Sequence, residues 1–180
     1  MRPSHLFRIS GYTVGEPYFG STGNNRFDAP GCPGAPQFSS CYFGTNLAVA
    51  IAETILRDRA PVKGQFHITA ATLGNKYVLR FNGRKLRLAN LTGAHLKRLD
   101  GTADLTGTAN YKVTQAWAFA VHANPGCFDG FLYMSRHLNT DRAVVLFDRA
   151  AKKLTLRSYA ALTGTDGFAH AAELFGIVAS

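Results

Sequence analysis

The chain has 180 residues, 46% of them hydrophobic and 17% charged, which is enough apolar material for one core and too much for a disordered tail. Residues 1–180 therefore read as a single domain. Twenty Lys and Arg against eleven Asp and Glu give a formal charge of +9, which favours nucleic acid, phosphate-bearing ligands or acidic proteins over cationic partners without choosing among them.

Met1 to Ser10 carries Arg2, His5 and Arg8 and no signal-peptide pattern, so the expected compartment is the cytoplasm. His5 to Ile9 reads as a first strand. Gly11 to Pro36 is a long Gly-, Pro- and Asn-rich loop interrupted by Tyr18-Phe19 and Arg26-Phe27, and loops of that length in compact domains are often functional. Gln37 to Phe43 reads as a strand, Gly44 as a turn, and Thr45 or Asn46 as the cap of a helix over Leu47 to Asp58. Leu47, Ile51 and Ile55 make one apolar stripe on that helix and Val49, Ala52 and Leu56 another, so two of its faces should be buried.

Strands are expected over Gln65 to Leu73, Tyr77 to Phe81 and Lys85 to Ala89, the last two joined by a hairpin turn at Asn82-Gly83. Val113, Ala116, Trp117, Ala120 and Val121 have the spacing of a core-facing helix that stops at Asn124-Pro125-Gly126. Polar residues break the stretch Ala109 to Asp129 too often for a membrane span. Phe131 to Ser135, Ala143 to Phe147 and Leu154 to Tyr159 read as strands, and Phe168 to Val178 as a closing helix. The irregular order predicts an α+β domain, a mixed β-sheet core with flanking helices, and disfavours a solenoid or a doubly wound nucleotide fold.

Cys32, Cys41 and Cys127 are odd in number and lack metal-ligand spacing, so neither a disulfide framework nor a metal site is expected. No phosphate-binding GxxxxGK[ST] and no GxGxxG is present. Glu53 interrupts an apolar helix, and a buried carboxylate needs a partner or a task. Arg57, four residues on, would supply an ion pair; the functional alternative is a carboxylate at a cleft edge, stabilising a developing cation. Arg8 and Arg26 each adjoin an aromatic residue and offer the rigid fork that suits pyrophosphate oxygens, while Tyr42 suits either the core or a stack on a planar ring. Ser135 ends a strand in Asp129-Gly130-Phe131-Leu132-Tyr133-Met134-Ser135-Arg136-His137 with no nucleophile elbow around it, so a hydrolase triad with His137 is disfavoured. Arg80, Arg84, Lys85, Arg87, Lys97 and Arg98 coat a strand face or, in a second reading of the whole chain, form a nucleic-acid-binding patch.

In order along the chain, Leu6-Phe7-Arg8-Ile9, Arg26-Phe27, Tyr42-Phe43-Gly44 followed by a helix with Ala50, Ala52 and Glu53, and Asp129 to Arg136 resemble the RES domain family. The resemblance spans nearly the whole chain. It implies an ADP-ribosyltransferase-like fold and an NAD+-consuming toxin of a bacterial toxin-antitoxin pair, with an Xre-type antitoxin as partner. It implies that Glu53, Arg26 and the active-site tyrosine Tyr42 are catalytic, that Arg8, Arg26 and Tyr42 bind NAD+, and that Ser135 hydrogen-bonds the nicotinamide-ribose region or positions Glu53. NAD+ is then a substrate and no further cofactor is expected. The acceptor, whether water, phosphate or a protein side chain in an ADP-ribosyltransferase reaction, stays open. Direct nucleic-acid binding recedes on this reading, and a partner that covers the site is expected.

Overall fold

In a computed structural model, which describes residues 1–31 and 36–180, the chain forms nine strands and six α-helices among those residues. They are β1 (Phe7–Ser10), β2 (Ser40–Gly44), α1 (Leu47–Thr54), β3 (Phe66–Ile68), α2 (Ala70–Gly74), β4 (Tyr77–Gly83), β5 (Leu88–Leu91) and α3 (Gly93–Arg98). There follow α4 (Asp104–Gly107), α5 (Tyr111–Ala123), β6 (Gly130–Met134), β7 (Arg142–Phe147), β8 (Leu154–Ala161), α6 (Phe168–Phe175) and β9 (Ile177–Ala179). Cys32 lies outside the described residues, Cys41 is buried and Cys127 is exposed. No helix among the described residues is long and apolar enough to cross a membrane.

Seven strands make one mixed sheet in the order β5-β6-β7-β2-β1-β4-β8, and β3 pairs in parallel with β9 in a separate two-stranded sheet. The continuous apolar run of β7 is buried from Ala143 to Phe147, as a strand covered on both faces requires. At the middle the sheet parts. β2 is paired with β7 over all five residues and β1 with β4 over all four, yet β1 and β2 meet only at Phe7 and Gly44. The split leaves main-chain groups of both strands without ladder partners, and a cleft opens beside it.

Gly44 closes the cleft at its helical end. A Cβ there would stand 2.6 Å from the Ala50 nitrogen and 2.7 Å from the Asn46 carbonyl, so only glycine lets β2 turn directly into α1. Asn46 caps the helix, its side-chain oxygen accepting from the Val49 N–H at 2.9 Å. The two expected faces of α1 are buried: Val49 joins the cluster around Phe27, Phe131 and Tyr133, while Ile51, Ile55 and Leu56 join Ile68, Leu162 and Ala171 beneath α6.

Several boundaries differ from the sequence reading for local reasons. The first strand starts only after a 3₁₀ turn at Pro3–His5. The expected strand from Gln65 to Leu73 keeps only Phe66–Ile68, because Thr69 caps a short helix by accepting from the Thr72 N–H. Asn82-Gly83 makes no hairpin: β4 pairs with β1 and β8, and β5 crosses to the far edge beside β6. The last helix stops at Gly176, which takes a left-handed conformation at φ 64°, and the chain continues as β9. On α5 the buried arc is Thr114, Ala118 and Val121, leaving Val113, Ala116 and Ala120 exposed. The Thr114 hydroxyl turns inward to donate to the Arg26 carbonyl, so a polar residue off the expected apolar stripe takes a buried position.

Candidate active site

The cleft beside the β1/β2 split has a volume of about 640 Å³ and is lined by Arg8, Arg26, Tyr42 and Glu53, together with Arg57, Tyr111, Tyr133, Arg136 and His137. That is the size range of small-molecule sites. Four of the five residues expected at the site therefore face one cavity, and the fifth, Ser135, is buried behind it at 1% exposure.

Glu53 sits in the last turn of α1, half-buried rather than enclosed in the apolar core. Its Oε1 accepts a 2.6 Å hydrogen bond from the Ser135 hydroxyl. The same Ser135 oxygen accepts from the backbone N–H groups of His137 at 3.2 Å and Leu138 at 3.0 Å, so its proton is directed at Glu53 and its lone pairs are occupied. Ser135 thus orients the carboxylate, and the two N–H groups on its oxygen leave it poorly placed to act as a nucleophile. The expected ion pair of Glu53 with Arg57 is absent, because α1 ends at Thr54 and the chain turns before Arg57. Arg57 instead donates to the Asn25 side-chain oxygen at 3.3 Å. His137 stands at the cleft with its pKa lowered, chiefly by burial, with Arg136 and Arg57 adding to the shift against the opposing pull of Glu53 and Asp58.

Arg8 bridges the split in the sheet. Its Nη1 donates to the Tyr42 carbonyl at 3.2 Å, replacing a missing ladder bond, and its Nε donates to Glu16 at 2.7 Å. The Glu16 carboxylate is 3% exposed and also accepts from the Ser10 hydroxyl at 2.6 Å and the Tyr18 N–H at 2.8 Å. Burial raises the Glu16 pKa, but the hydrogen bond and charge of Arg8, together with the hydrogen bonds from Ser10 and Tyr18, outweigh it and hold the carboxyl below its ordinary value.

Arg26 is held differently. Phe27, fully buried against Phe131 and Tyr133 in edge-to-face contacts, anchors its loop; truncating such a ring costs about 3–5 kcal/mol. The Arg26 Nη1 donates to the Thr108 carbonyl at 2.6 Å, and its guanidinium lies over the Tyr111 ring, 5.0 Å from the centroid. No carboxylate comes within salt-bridge distance of it among the described residues. Burial lowers its pKa, with Arg136 adding to the shift, yet an arginine keeps its charge.

The ring of Tyr42 lines the cleft while its hydroxyl points away, donating to Asp28 at 3.2 Å and accepting from the Phe27 N–H at 3.0 Å. Burial, with the Asp28 charge beside it, pushes this phenol well above its ordinary pKa, so Tyr42 offers a ring face and not a proton. Asp28, 1% exposed, accepts from Thr22, from the backbone and side chain of Asn25, from Ser40 and from Tyr42. It ties the loop that carries Arg26 to β2, which carries Tyr42.

The RES domain family matches residues 5–163, nearly the full length of the chain. The chain belongs to the RES domain family. Among solved structures this RES domain is similar to the M. tuberculosis MbcT-MbcA toxin-antitoxin complex, with a TM-score of 0.62, 16% identity, and coverage of 94% of this chain and 87% of that one. The two share a fold, which is the ADP-ribosyltransferase-like α+β architecture expected from the resemblance. No curated protein matches the chain.

Glu16, Asp28 and Tyr111 were not singled out in the sequence. One signal was available for the first two: they are the only carboxylates in the first 52 residues, within a loop that otherwise lacks acids. Tyr111 gave no signal, because its approach to Arg26 depends on how α5 packs.

Proposed function

We propose that this RES domain cleaves the bond between nicotinamide and ribose in NAD+, and that it acts as a toxin held in check by an antitoxin. The observation that carries the reading is the Glu53 carboxylate, fixed by the Ser135 hydroxyl at the edge of a cleft that also holds Arg8, Arg26 and Tyr42. Nicotinamide in NAD+ is cationic and departs neutral, taking the electron pair of the glycosidic bond, so the reaction asks for no strong general acid. It asks for a negative charge beside an oxocarbenium-like ribose, which Glu53 supplies. An acceptor oxygen then bonds to the same ribose carbon and releases a proton. Arg26, charged and free of a carboxylate partner, binds pyrophosphate oxygens, and the Tyr42 ring packs on the nicotinamide or ribose. Restraint by an antitoxin, of the Xre type that the resemblance implies, has support in the toxin-antitoxin complex formed by the structural relative.

The test is nicotinamide release and NAD+ loss with purified protein, with and without phosphate, for the unmodified chain and for Glu53→Ala. Activity that falls by about 10²–10³ in Glu53→Ala supports the reading, and the product identifies the acceptor. A folded protein that leaves NAD+ intact in every mixture, including one offering protein acceptors, overturns it.

A further inference from the structure

The seven-stranded sheet has two free edges, and they are built differently. β8 is eight residues long, and its register with β4 shifts: Arg80 faces Ser158 and Phe81 faces Leu156, so Arg157 is an extra residue, exposed on the edge. A bulge and a charge are common means by which a sheet refuses another strand. β5, at the other end, has neither. Leu88-Ala89-Asn90-Leu91 contains no charge and no proline, and it runs in unbroken parallel register with β6 from Leu88 opposite Gly130 to Leu91 opposite Tyr133.

Successive side chains of a strand point to opposite faces, yet all four residues of β5 line a single groove of about 570 Å³. The groove therefore follows the strand's outer edge. Leu99, 56% exposed, and Trp117 and Ala120 of α5 supply its apolar walls. The last two belong to the stripe that the sequence assigned to the core. Among the described residues the ionisable side chains lining it are His95 and Arg98, and the exposed Arg87 stands just before β5.

We propose that the free edge of β5 accepts an extended segment of a partner protein as an eighth strand, with apolar side chains entering the groove and acidic ones meeting Arg98 and Arg87. The main chain would supply affinity and the groove would select the sequence. Charge argues against a second copy of this chain: it would set Arg87 and Arg98 against their own kind in a molecule of net charge +9. The surface lies outside the cleft, so the proposal holds whichever reaction the cleft performs.

Trp117 is the single tryptophan and lies in the groove, so its emission reports occupancy. The probes are capped eight-residue peptides alternating valine with glutamate, the same peptides with lysine for glutamate, and glutamate peptides N-methylated at alternate residues in either phase. Expected are a saturable blue shift with the glutamate peptide that weakens as salt is added, binding about tenfold weaker for the lysine peptide, and loss of binding for one methylation phase only. Arg98→Glu, which leaves Arg87 in place, should abolish the preference for acidic over basic peptides without altering turnover in the cleft. Equal binding of acidic and basic peptides, or tolerance of methylation in both phases, would overturn the proposal. So would an emission that shifts with protein concentration alone as the chain dimerises, which would seat a second copy on the edge.

Discussion

The two arginines that resemblance pairs as ligands of one substrate line the same cleft and are held in opposite ways. On the sheet side, Arg8 is clamped by a buried carboxylate and a carbonyl of the neighbouring strand. On the helical side, Arg26 is held by a carbonyl and an aromatic face, neither of which cancels its charge. An arginine already neutralised by a carboxylate works as a strut, whereas one positioned by dipoles and a ring remains available to an anion. On the proposed function, the difference predicts that Arg26 takes most of the anion and that Arg8 mainly keeps the split sheet joined.

The sharpest way to break this comparison is through Arg26. Arg26→Ala should lower kcat/KM for NAD+ by about 10–100-fold, chiefly through KM, since one charge-assisted hydrogen bond is worth about 1.5–3 kcal/mol. Its thermal midpoint should fall less than that of Arg8→Ala, because only a carbonyl and a ring face lose their partner. Arg8→Ala should behave in the reverse sense. It leaves Glu16 buried without its partner, and with Arg8 itself 20% exposed the loss should be about 2 kcal/mol in urea unfolding, partly recovered in the double variant Arg8→Ala/Glu16→Ala. If Arg8→Ala unfolds normally and raises KM as much as Arg26→Ala does, both arginines are ligands and the distinction fails.

The smallest effect is in pH. Glu16 has a folded pKa below its ordinary 4.5, so its pairing contributes fully above that value and is lost as pH falls through the folded pKa. Urea midpoints of the unmodified chain should therefore drop more steeply below pH 4.5 than those of Glu16→Gln. Parallel curves would remove Glu16 from the account.

Much of this arrangement could be seen in the chain before folding, and the limits follow from physics. The two apolar faces of α1 are local patterns, and local periodicity survives folding. Four of the expected site residues line one cleft because Gly44 and Phe27 fix the turn and the loop that present them. What escaped notice depends on partners distant in sequence. Thr114 is buried because it serves the Arg26 carbonyl, 88 residues away. Glu53 lost its expected neighbour because the helix stops at Thr54, and it gained Ser135 from across the fold. Asn82-Gly83 has the composition of a hairpin, but the strand beyond it finds a better partner in β6.

The small parallel sheet of β3 and β9 has a consequence for synthesis. β3 can pair only when Ile177–Ala179 is available, and α1, which carries Glu53, packs against α6 just before it. A ribosome adds about 5–20 residues per second, so several seconds separate the emergence of Glu53 from that of the segment that completes its packing. During that interval α1 carries Glu53 without the α6 packing that covers its Ile51 and Ile55 side.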